Sequence, residues 1–178
     1  MRPLAGADRI KALLSALGRE ASEPVAAYLT GGATAVLLGW RDSTVDVDLR
    51  FEPESDELLR AVSRLKDELK INVELASPAD FLPVPEGAQG RAVYAATEGR
   101  LTVYHFDLYS QALAKVERGH DRDLADVEAM IRRGFVDPAT ALRYLAEIEP
   151  QLFRFPAIDP VEFRRRAEEV FGSRRGGT

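Results

Sequence analysis

Apolar residues recur along this chain at two periods, and the switches between them mark out its elements. Over residues 7–20, Ile10, Leu13, Leu14 and Leu17 fall at helical spacing and the pattern closes near Gly18. Residues 25–29 read as a short buried strand, which Gly31 and Gly32 break. The run "ATAVLLG" then predicts a short helix closing at Gly39. Residues 44–51 alternate, with Val45, Val47, Leu49 and Phe51 on one face and Asp46, Asp48 and Arg50 on the other. An amphipathic helix follows over 55–69, with Ser55 as its N-cap and Leu58, Leu59, Val62, Leu65 and Leu69 on the apolar side. "INVELA" (71–76) is the next strand, and "SPADFLP" starts a turn or short helix at Ser77 and Pro78.

Proline and glycine in "PVPEGAQG" (83–90) predict a loop. Two more strands are expected near 91–97 and 101–106, joined by a turn at Glu98 and Gly99. Beyond Asp107 the period is helical, with helices over about 108–118, 122–133, 138–150 and 160–171. Gly119 and Gly134 separate the first three. Asp137 and Asp159 each precede a proline, as an N-cap followed by Pro at the first helical position. The last residues, 172–178, read as a fraying end. The expected class is α+β: an α/β core over 1–107 and a helical part over 108–178 packed on it as one compact unit.

Composition narrows the chemistry by exclusion. The chain has 178 residues and no cysteine, which removes disulfides, zinc–thiolate centres and thiol nucleophiles. With only 2 histidines, a multi-histidine centre is also out of reach. A metal site must therefore be built from carboxylate oxygens, which suit hard ions such as magnesium, manganese or calcium. The net charge of −5 offers no general attraction to nucleic acid, though it leaves room for a local basic groove. No apolar run is long enough for a membrane span. Asp8, Arg9 and Lys11 stand where a signal peptide needs its apolar core, so a cytoplasmic protein is expected.

"LTGGATAVLLGWRDSTVDVDL" carries the candidate chemistry. Glycines at a strand-to-helix junction let a ligand approach the backbone, and the start of the following helix favours an anion such as phosphate. Asp46 and Asp48 share a strand face with Cα atoms about 6–7 Å apart, a spacing at which two carboxylates serve a pair of divalent ions. A phosphate site beside paired carboxylates points to phosphoryl or nucleotidyl transfer.

The same stretch resembles the signature of the polymerase-β-like nucleotidyltransferase superfamily: a Gly-Gly or Gly-Ser pair at a short helix, then Asp-x-Asp on the next strand. The resemblance implies a minimal nucleotidyltransferase fold, a mixed β-sheet flanked by helices. It also implies an NTP substrate, Mg2+ or Mn2+ on Asp46 and Asp48, and a third carboxylate. Glu74 and Asp107 compete for that last place, and Glu74 is preferred because its strand can neighbour the Asp46–Asp48 strand. Asp107 could equally cap the helix that follows it.

In "DLYSQALAKVERGHDRDLADVEAMIRRG" (107–134), Gln111, Lys115 and Arg118 share one helix stripe, and Asp123 and Asp126 share a face of the next helix. The pattern resembles that of AbiE-type toxin nucleotidyltransferases. It also resembles short bacterial nucleotidyltransferase-like proteins of unsettled function, although fewer residues follow here than in the AbiE type. The resemblance implies that Gly31, Gly32 and Lys115 hold the triphosphate, with Arg118 on the same stripe, and that Asp123 or Asp126 orients Lys115 or completes the site. Fixing a flexible lysine with a carboxylate is sound physical logic in any family. His105, between Tyr104 and Phe106, is expected to be structural.

The reading is a metal-dependent transfer of a nucleoside monophosphate from an NTP to an acceptor hydroxyl, an RNA being the first candidate acceptor. Two rivals remain. One is a catalytically silent module acting through protein contacts, for example with an antitoxin; the other is transfer to a small molecule such as an antibiotic.

Overall fold

A computed structural model describes residues 1–172; of the tail expected to fray, residues 173–178 lie outside the described residues. The class is α+β, with a five-stranded mixed sheet, consistent with a minimal nucleotidyltransferase fold. The chain forms two compact units. One comprises Met1–Ser77 and Ala92–Phe106, and the other Pro78–Arg91 and the chain from Asp107 onward.

In the first unit, α1 (Ala7–Glu20), β1 (Val25–Thr30), α2 (Gly32–Leu38), β2 (Asp46–Glu52), α3 (Asp56–Glu68), β3 (Asn72–Leu75), β4 (Val93–Glu98) and β5 (Leu101–His105) follow in order. The sheet order is β3-β2-β1-β5-β4. β1 runs antiparallel to β2 and parallel to β5, β2 is parallel to β3, and β4 and β5 form an antiparallel hairpin. Period-2 alternation explains the two faces. Ala27, Leu29, Val47, Leu49, Val73 and Val103 point into a core shared with Ile10, Leu13 and Leu17 of α1 and Leu58 and Leu65 of α3. Each fully buried leucine of this set contributes about 1.5–3 kcal/mol relative to exposure. The opposite face carries Tyr28, Thr30, Asp46, Asp48, Arg50, Glu74 and Tyr104.

β2 starts two residues later than the alternation suggests. Thr44 spends its backbone groups on Ala5, in a two-way bridge of 2.8 and 2.9 Å, rather than on a strand of the sheet. The N-cap expected at Ser55 is formed, its hydroxyl accepting from the Leu58 N–H at 3.2 Å.

The second unit holds α4 (Leu108–Arg118), α5 (Asp121–Arg132), α6 (Pro138–Ile148) and α7 (Pro160–Ala167). α4 packs on α5, α6 and α7. Asp137 and Asp159 cap α6 and α7 as expected, accepting from Thr140 N–H and from Val161 and Glu162 N–H. α6 stops short of the expected end because Pro150 has no N–H to close the next turn, and a 3-10 stretch, Glu149–Arg154, replaces it. α7 likewise gives way to a π turn over Glu168–Gly172, which keeps Phe171 buried. The expected loop before β4 includes a 3-10 turn, Ala88–Arg91, so that strand begins at Val93.

Candidate functional site

The chain leaves β1 at Thr30, turns through Gly31 and enters α2 at Gly32. Gly31 sits at φ +65°, a backbone region that a side chain disfavours, and a Cβ there would lie 2.9 Å from Asp48 Oδ2. The Asp48 carboxylate therefore reaches back to the glycine corner. A Cβ on Gly32 would lie 2.0 Å from Thr44 Oγ1, so this glycine is required by close packing. The Thr44 hydroxyl in turn donates to the Asp46 carbonyl at 3.0 Å, tying the loop to the start of β2.

Strand register completes the arrangement. Thr30 on β1 and Glu74 on β3 are the lateral partners of Asp48, and Asn72 is the partner of Asp46. Laterally paired residues project to the same side of a sheet, and neighbouring strands lie about 4.8 Å apart. Asp46, Asp48 and Glu74 thus share one face beside the corner. The two aspartates are half-buried and Glu74 is exposed. Thr30, Thr44 and Arg41 also belong to this neighbourhood, the Arg41 guanidinium coming within 3.5 Å of the Cβ position of Gly32. Sequence reasoning passed over both threonines. Their one local signal is adjacency to the glycine pair and to Asp46.

The donor set is hard oxygen, with two carboxylates side by side. Among the described residues no group of three or more His, Asp or Glu side chains is arranged to hold a metal ion by itself. Mg2+ characteristically takes one or two carboxylates and completes its shell with water and substrate phosphates rather than with an all-protein cage. Asp46 and Asp48 are the two carboxylates of this face that could hold such an ion.

Asp107, the rival third carboxylate, is occupied elsewhere. It is 1% exposed and caps α4 by accepting from the Tyr109 and Ser110 N–H groups, each at 3.2 Å. It also takes a two-point contact from Arg91, Nε at 3.1 Å and Nη2 at 2.9 Å. That is the bland helix-cap role, reinforced by an ion pair.

In the helical unit, Lys115, Arg118, Asp123 and Asp126 come together. Lys115 is 4% exposed, and its ammonium donates to Asp126 at 2.7 Å, with Asp123 at 3.6 Å. Arg118 grips both oxygens of Asp123, at 3.0 and 2.6 Å, while its own side chain stays 57% exposed. Burial alone would raise the Asp123 pKa; the hydrogen bond and charge of Arg118, with Lys115 nearby, outweigh it and hold the carboxyl below its usual range. The i, i+3 spacing sets Lys115 beside Arg118 on α4 and Asp123 beside Asp126 on α5, and the packing of α4 on α5 brings the two pairs together.

His105 is buried on β5, its Nδ1 3.0 Å from the Thr34 hydroxyl of α2. Burial pushes its pKa down to about 4, so the ring is neutral at physiological pH. This is a structural histidine holding α2 against the sheet.

With that geometry in place, comparison with known families matches the chain to the family described as "Nucleotidyltransferase of unknown function (DUF6036)", over residues 9–147. No curated protein and no solved structure matches the chain. Among the described residues no helix is long and apolar enough to cross a membrane.

Proposed function

We propose a function from one premise: the chain belongs to the DUF6036 family of nucleotidyltransferases. The reaction we propose moves a nucleoside monophosphate from an NTP to an acceptor hydroxyl. The acceptor oxygen bonds to the α-phosphorus, the bond to the bridging oxygen breaks, and pyrophosphate leaves with the electron pair. The observation that carries this reading is the Asp48 carboxylate at the Gly31 corner, with Glu74 beside it in register on the next strand.

Each residue then has a task. Gly31 presents bare backbone beside Asp48, so the triphosphate comes close without a Cβ in the way, while Gly32 lets α2 start tight against Thr44. Arg41 brings a positive charge to that corner. Asp46 and Asp48 would hold magnesium or manganese, which supplies neutralisation of the charge that builds on the transferring and leaving oxygens. Glu74, exposed and adjacent, accepts the proton of the acceptor hydroxyl. In the helical unit, Asp126 and Asp123 hold the buried Lys115 ammonium, and Arg118 is its solvent-facing neighbour.

The test is transfer of label from each α-labelled NTP, with magnesium, to total RNA or to small hydroxyl-bearing acceptors. Wild type should transfer label. Asp48→Asn should lose turnover by at least about a thousandfold while melting within a few degrees of wild type, because it removes charge and little volume. Saturating NTP at about a hundredfold its Kd should add about 2.7 kcal/mol of stability. No transfer, together with no nucleotide-dependent rise in Tm, would sink the proposal in favour of a silent binding module.

A further inference from the structure

The polar face of the sheet carries a second row that the nucleotidyl-transfer reading leaves unused. Tyr94 on β4 pairs laterally with Tyr104 on β5, Tyr104 with Tyr28 on β1, and Tyr28 with Arg50 on β2. Three aromatic rings and a guanidinium-bearing residue therefore lie in one line across four strands. The rings touch: Tyr28 and Tyr104 stack at 5.5 Å between centroids with an interplanar angle of 20°, and Tyr94 meets Tyr104 edge-on at 6.2 Å. Phe106 closes against Tyr28 at 6.3 Å, also edge-on. Tyr94, at the open end, is 60% exposed, and its phenol is fixed by a 2.9 Å hydrogen bond with the Thr97 hydroxyl. The core of this unit lies on the other face of the sheet, so these rings are not needed to fill it.

The position of the row gives it a role. Along β1 the order is Tyr28, Thr30, then Gly31. Thr30 belongs to the row Thr30–Asp48–Glu74, and Tyr28 to the aromatic row, two residues or about 7 Å away. If the triphosphate sits at the glycine corner and its α-phosphorus over the carboxylate row, the leaving pyrophosphate lies on the corner side. An in-line displacement then brings the attacking oxygen from the opposite side, which is the aromatic side. What approaches from there meets a ladder of ring faces and edges that ends in a cation. Unpaired nucleobases stack on such aromatics whatever their identity, and the cation suits the phosphates between them.

We infer that the Tyr94–Tyr104–Tyr28–Arg50 row, lying beside the Thr30–Asp48–Glu74 row, is the acceptor subsite and takes the unpaired terminal bases of a single-stranded nucleic acid. The inference rests on nucleotidyl transfer at the Asp46–Asp48 face, and its test is a binding measurement that needs no turnover.

The probe is a short fluorescent single-stranded RNA, followed by anisotropy, alongside the same oligomer made abasic over its last three nucleotides. Tyr94→Ala, at an exposed position, should weaken binding of the intact oligomer roughly 5- to 100-fold. Tyr94→Phe, which keeps the ring and loses the phenol, should stay within about twofold of wild type. The abasic oligomer should bind wild type weakly and Tyr94→Ala equally weakly, because the base and the ring are one interaction. The inference is overturned if wild type binds no single strand, if Tyr94→Ala binds as wild type does, or if Tyr94→Ala weakens the abasic and intact oligomers alike. Label transfer run in parallel separates the two readings. Tyr94-dependent binding without transfer leaves the base platform standing and fails the enzymatic reading. Transfer to an acceptor whose binding ignores Tyr94 does the reverse.

Discussion

Lys115 offers the sharpest test of the energetics. It is 4% exposed on α4, its ammonium 2.7 Å from an Asp126 oxygen and 3.6 Å from Asp123, and both aspartates are themselves buried. Lys115→Met keeps most of the side-chain length and removes the charge. Two buried carboxylates then share an environment from which their nearest ammonium has gone. Removing one partner of a buried ion pair costs about 3–5 kcal/mol, far more than the ~0–1 kcal/mol of an exposed pair. In a chain of this size that lowers Tm by about 6–20 °C. Circular dichroism melts of purified wild type and variant read this directly. The companion variant, Lys115→Met with Asp126→Leu, removes both charges and should regain most of the loss, because the large cost comes from the stranded charge and not from the missing attraction. If Lys115→Met melts within about 2 °C of wild type, or if the double variant is as unstable as the two single losses summed, the description of this cluster as a buried, mutually compensated group is wrong.

Two further perturbations probe the first unit. Gly31→Ala should cost about 1–2 kcal/mol, since it forces a side chain into a left-handed backbone at φ +65° and sets a Cβ 2.9 Å from Asp48 Oδ2. Transfer activity should fall further than stability, and a fully active Gly31→Ala would show that the Asp48 position is not critical. For His105, burial moves the pKa from 6.5 to about 4, so between those values the unfolded chain binds a proton that the native ring refuses. Its contribution is complete above about pH 6.5 and is lost as the pH falls towards 4, about 3 kcal/mol in all. Urea unfolding of wild type and His105→Asn at about pH 7 and pH 5 should show the steeper acid loss in wild type, and equal losses would refute the assignment.

The sequence alone was enough for most of what depends on neighbours along the chain, although Pro150 ends α6 earlier than its helical period suggests. Alternation over 44–51 put Asp46, Asp48 and Arg50 on one side and Val47, Leu49 and Phe51 on the other, because a strand's side-chain period is two whatever the strand pairs with; Val45, expected with the latter, precedes β2 and is exposed. The glycine pair announced the turn into α2, and Asp137 and Asp159 announced helix starts, because capping is a bond between residues two or three apart. The Lys115 stripe and the Asp123–Asp126 face followed from helical spacing, though not their depth of burial. What remained undetermined was every relation set by strand order and register. Glu74 and Asp107 were rivals by sequence. Parallel pairing of β2 with β3 brings Glu74 level with Asp48, and Arg91, sixteen residues from Asp107, claims the other. Tyr28, Tyr94 and Tyr104 look unrelated in the sequence and become one row only when β1 lies beside β5 and β5 beside β4. Hydrophobic periodicity tells a strand which face to bury. It does not tell the strand which partner to choose or where to align along it, and those choices are made by closure of the whole core.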